Sequence, residues 1–65
     1  MIKRYLVVSR DKSAPKKDGW CVDWADIQLR STAIKRARGF AKFHPNYDVE
    51  VWVDITITEK LEKIQ

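Results

Sequence analysis

Arg30–Pro45 reads RSTAIKRARGFAKFHP, and this stretch decides the fold. Its apolar residues Ala33, Ile34, Ala37, Phe40, Ala41 and His44 recur at intervals of three and four, which places them on one side of an α-helix. The other side carries Lys35, Arg36, Arg38 and Lys42, with Arg30 just upstream and no acid in between. Ser31 or Thr32 is a candidate N-cap. Gly39 sits inside the helical pattern, where it costs about 1 kcal/mol relative to Ala unless another backbone approaches it closely. Pro45 stops the helix and opens a short turn.

Upstream, Ile2–Arg10 is rich in β-formers, and Tyr5–Val8 is apolar at four successive positions. That is the pattern of a strand covered on both faces. Asp11–Gly19 is turn chemistry throughout and predicts a flexible hairpin loop carrying Lys12, Lys16 and Lys17. In Trp20–Gln28, Trp20, Val22 and Trp24 alternate with Cys21, Asp23 and Ala25, so a strand is expected at least to Trp24 or Ala25, with both tryptophans on one face.

Downstream, Asp48–Thr58 alternates cleanly. Val49, Val51, Val53, Ile55 and Ile57 point one way, and Glu50, Trp52, Asp54, Thr56 and Thr58 the other. Eleven residues are long for one strand, so a bend or a free end is expected. Residues 59–65 fit either a short helix or a frayed strand.

These readings assemble into one α+β domain, strand–strand–helix–strand. The first two strands form a hairpin, and a right-handed crossover through the helix lays the third beside the first. The expected sheet is three-stranded, in order 2-1-3, with the helix on one face. Ile34, Ala37, Phe40 and Ala41 would pack on the valines of the third strand, leaving the second sheet face uncovered.

Sixty-five residues allow one domain and little room for a deep cleft. A single cysteine, Cys21, excludes an internal disulfide and a multi-cysteine zinc site. Without a signal-peptide pattern it predicts a reducing, cytoplasmic setting. No apolar run approaches the roughly 20 residues of a membrane span. The net charge of +4 is uneven. Residues 1–47 hold eleven Lys/Arg and four Asp/Glu, whereas residues 48–65 hold two Lys and five Asp/Glu.

Two surfaces carry binding chemistry. The first is aromatic: Trp20, Trp24, Trp52 and Tyr5 would line the uncovered sheet face as a protein-binding surface, since nearby Glu50 and Asp54 repel a phosphate backbone. The alternative is that Trp20 and Trp24 belong to the core and Trp52 alone is exposed. The second is basic: Arg30, Lys35, Arg36, Arg38 and Lys42, with Lys16 and Lys17 of the loop, could contact nucleic-acid phosphates, or could form an ordinary solvated face.

Catalytic chemistry is poorly represented. His44 abuts Pro45 and suits packing, Cys21 has no thiol partner, and Asp23 and Asp26 lack a third metal ligand. No phosphate-binding glycine loop or nucleophile elbow occurs. No enzyme, cofactor or metal is therefore expected.

The segment Tyr5–Val53 resembles a family of short bacterial and phage proteins of unknown function. The resemblance rests on Val7-Val8-Ser9-Arg10, on Gly19-Trp20 opening the second strand, on Ala33, Ala37-Arg38 and Ala41 of the helix, and on Val49, Val51 and Val53. Asp54–Gln65 departs from the family pattern in having no Gly. The resemblance implies the strand–strand–helix–strand fold, no activity, and a small accessory protein of bacteria or their mobile elements. The leading expectation is thus a non-enzymatic module that binds and modulates a host protein. Nucleic-acid binding through the helix is the alternative. Self-association, as a homodimer through strand 3 or the open sheet face, is the third.

Overall fold

Three alanines set how the two layers meet. Ala33, Ala37 and Ala41 are the buried residues of the helix, and their single methyl groups let it lie close on the sheet. The computed structural model describes residues 3–14, 19–54 and 58–64. The chain runs β1 (Arg4–Asp11), β2 (Cys21–Ile27), α1 (Arg30–Phe43), β3 (Tyr47–Asp54) and β4 (Thr58–Lys63). The sheet order is β2-β1-β3-β4, and every neighbouring pair is antiparallel. The expected order 2-1-3 with β1 inside the sheet is therefore present, and β4 extends it by one strand beyond β3.

Tertiary structure divides the long period-two run of the sequence. β3 ends at Asp54, and Asp54 pairs with Thr58 at the start of β4. Ile55 and Ile57, expected on the core side, lie outside the described residues. Because β3 is flanked by β1 and β4, it offers no edge, which removes strand-3 pairing as a route to a homodimer. Of residues 59–65, expected to form either a short helix or a frayed strand, those to Lys63 belong to the edge strand that begins at Thr58, and Ile64 packs against the core.

The core lies between α1 and one sheet face. Val7, Ile27, Val49 and Val51 meet the three alanines there, ringed by Tyr5, Ile34, Phe40, Tyr47 and Ile64. Tyr5 opposes Val53 and Ile27 on this face, so it is a helix-side residue and not part of the uncovered face.

α1 starts two residues earlier than a Ser31 cap requires and three earlier than a Thr32 cap. Its N-cap is Leu29 in extended conformation, with no side-chain cap bond. The helix ends at Phe43, and the His44–Tyr47 turn closes with Tyr47 N–H donating to the His44 carbonyl at 3.1 Å. Pro45 occupies the second position of that turn, where its fixed φ suits the bend.

Gly39 is exposed, and nothing lies within 4 Å of where a Cβ would stand. It therefore serves no close approach. Gly39→Ala should stabilise the fold by about 0.5–1 kcal/mol, since the added methyl restricts the unfolded chain without a clash. Thermal unfolding should show a rise of several degrees, on the order of 4–8 °C per kcal/mol for a domain this small. A fall would mean that the glycine has a packing role.

Candidate functional site

The β1–β2 register decides which side chains share a face. Val8 opposes Val22 and Val7 opposes Trp24, so Asp23 is an extra residue in β2. A second extra residue falls between Trp24 and Ile27, where Asp26 takes a φ of 56°. Aspartate tolerates this left-handed conformation better than most residues. These two bulges break the period-two reading of β2. Directly opposed residues point to the same side, so Trp24 joins Val7 on the helix side while Val22 joins Val8 on the other. Trp24 meets Phe40 edge-on at 6.0 Å. Trp20 and Trp24 thus do not share a face.

The helix-free face has its own cover. Val8 is 0% and Glu50 4% exposed, although no helix lies over them. Trp20 and Trp52 meet edge-to-face above this part of the sheet, with ring centroids 5.8 Å apart. The Arg10 guanidinium sits 4.8 Å from the Trp20 ring centre and 3.6 Å from the Asp48 carboxylate, its cross-strand neighbour. The Trp52 indole N–H donates to Glu50 Oε1 at 2.8 Å. Each ring is therefore held before any partner arrives. Val22, beside this cluster, is 57% exposed.

Of the four aromatic residues expected together, the structure brings Trp20 and Trp52 to one face and sends Trp24 and Tyr5 to the other. Arg10, Val22 and Glu50 complete the face. The spacing of Glu50 and Trp52, two residues apart on one strand, was the sequence signal for their contact. Arg10 carried none, because its partners lie on other strands.

The basic set occupies the opposite pole. Arg30, Lys35, Arg36, Arg38 and Lys42 are all exposed on α1, which has no acid in its first turn or elsewhere. Arg30, Lys35 and Arg38 border a shallow groove with Ser31 and Ile34. Lys16 and Lys17 lie outside the described residues.

No family model, curated protein or solved structure matches this chain.

The residues considered for catalysis partly converge. Cys21, Asp23 and His44 line a groove of about 390 Å³ where α1 ends, together with Ser9, Phe40 and Tyr47. The His44 ring stacks on Phe40 at 4.3 Å and meets Tyr47 edge-on at 5.6 Å, so it is part of an aromatic cluster. Asp11 stands at the rim of the groove. Its carboxyl is held below the usual aspartate value by the Ser13 backbone N–H, 2.9 Å away, and by the Ser13 hydroxyl, 2.7 Å away. Among the described residues no three His, Cys, Asp or Glu side chains are grouped to hold a metal ion, and no helix is long and apolar enough to cross a membrane.

Proposed function

We propose that this chain is a small non-enzymatic binding module that docks on a partner protein through the helix-free face of its sheet. The Trp20–Arg10–Trp52 cluster carries this reading. Tryptophan and arginine dominate binding hot spots, and rings held in advance lose little freedom on association. Val22 supplies an exposed apolar neighbour, while Asp48 and Glu50 make the face unsuited to phosphates. An accessory protein of a phage or mobile element acting on a host protein fits this architecture.

The test is affinity isolation with purified chain, followed by titration of the captured protein. Val22→Glu adds a charge at an exposed site, and Trp20→Ala removes a ring. Each should weaken binding, with the ring deletion worth about 2 kcal/mol or more, roughly 30-fold in Kd. A helix variant, Lys35→Glu with Lys42→Glu, should bind as the parent does. Retained binding by Val22→Glu would overturn the reading. A dimer that the same substitution dissociates would replace the foreign partner by a second copy.

A second reading is favoured by the separation of charge. The cations of α1 and the acids Asp48 and Glu50 lie on opposite sides of the sheet, so no carboxylate of that face opposes a polyanion approaching the helix. If α1 binds duplex DNA with four cations on phosphates, log K should fall with log salt at a slope of about −3 to −4. The helix variant would then lose binding and Val22→Glu would keep it.

A further inference from the structure

The groove at the end of α1 is chemically unlike either surface above. Strands β1 and β2 contribute Ser9, Cys21 and Asp23, and the end of α1 and the turn into β3 contribute the interlocked rings of Phe40, His44 and Tyr47. Asp11 adds a second carboxylate at the rim. Arg10 also borders the groove, but its guanidinium is engaged with Trp20 and Asp48. Among the described residues, the charged chemistry offered to a visitor is therefore the Asp23 carboxylate and the Oδ2 of Asp11, whose Oδ1 already accepts from Ser13, beside aromatic rings in a volume of about 390 Å³. Such a volume is within the range of small-ligand sites, roughly 300–1,000 Å³.

We propose that this groove seats a guanidinium group, the side chain of an arginine presented by a partner protein. Charge complementarity argues for a cation, because Asp11 and Asp23 are the acidic groups of the lining among the described residues. The rings argue for guanidinium over ammonium. A planar, weakly hydrated cation stacks on aromatic faces, and its fork of donors matches a carboxylate. The methylene stem of arginine has apolar surface to cover along Phe40 and Tyr47. The Trp20–Trp52 face lies on the other side of the sheet, and Arg10 borders both.

The test is an NMR titration of the full chain with a short peptide containing one arginine. The same peptide with citrulline, the uncharged isostere of arginine, or with lysine provides the comparison. The arginine peptide should shift the ring signals of His44 and Tyr47 and the amide signals of Cys21 and Asp23. Asp23→Asn, at an exposed position, should weaken that response by roughly threefold or more while leaving the rest of the spectrum unchanged. An equal response to citrulline, or none to arginine, would overturn the proposal, and an equal response to lysine would overturn the choice of guanidinium.

Discussion

Val51→Ala should destabilise the protein by about 2–3 kcal/mol. Val51 is fully buried, stands in β3 between Val7 of β1 and Glu62 of β4, and belongs to the cluster beneath α1. The substitution removes two buried carbons, each worth about 0.8 kcal/mol in transfer, and leaves a cavity that the interlocked strands cannot close. Domains hold about 0.05–0.15 kcal/mol per residue, so a 65-residue chain has on the order of 3–10 kcal/mol in total. A denaturant melt followed by tryptophan fluorescence should show an earlier midpoint with an unchanged slope. A change below about 0.5 kcal/mol would mean that the helix–sheet core does not carry the stability assigned to it.

Ala37→Leu should destabilise by about 1–3 kcal/mol through the opposite defect, overpacking. Ala37 is fully buried at the middle of the alanine stripe, against the valines of β1 and β3. Leucine is an equally good helix former, so propensity does not offset the strain. To admit it, α1 must lift from the sheet, which loosens Ala33 and Ala41 as well. The displaced helix end would also disturb Phe40 and its contacts with Trp24, His44 and Tyr47. Reduced ring-current shifts at His44 and Tyr47, together with the lowered midpoint, would identify that mechanism. An unchanged or raised midpoint would show that space remains between the layers.

Much of the architecture was legible in the chain. The spacing by four of Ala33, Ala37 and Ala41, the apolar run through Val7 and Val8, and the alternation of Val49, Val51 and Val53 each reflect a local period that backbone geometry imposes. Helix termination at Pro45 follows from its ring and missing donor. From these local rules alone come two strands, a helix, a third strand and a β2-β1-β3 order. The basic helix surface was legible for the same reason, because the core face determines which residues remain outside.

What the chain did not show depends on contacts between strands. The bulges at Asp23 and near Asp26 are counts of one strand against another, and no local pattern in WCVDWADIQ records them. The one at Asp23 turns Trp24 to the helix side while Trp20 stays with Trp52. The division of the last run into β3 and β4 was hidden because Asp54–Thr58 contains no Gly, Pro or Asn. Period two likewise placed Glu50 in water, whereas the cover formed by Trp20, Trp52 and Arg10 buries it. The sequence by itself determined the elements and the charge of the helix, since both follow from chemistry local to each segment. Only the tertiary structure decided which tryptophans share a surface, because facing across a sheet is a property of register.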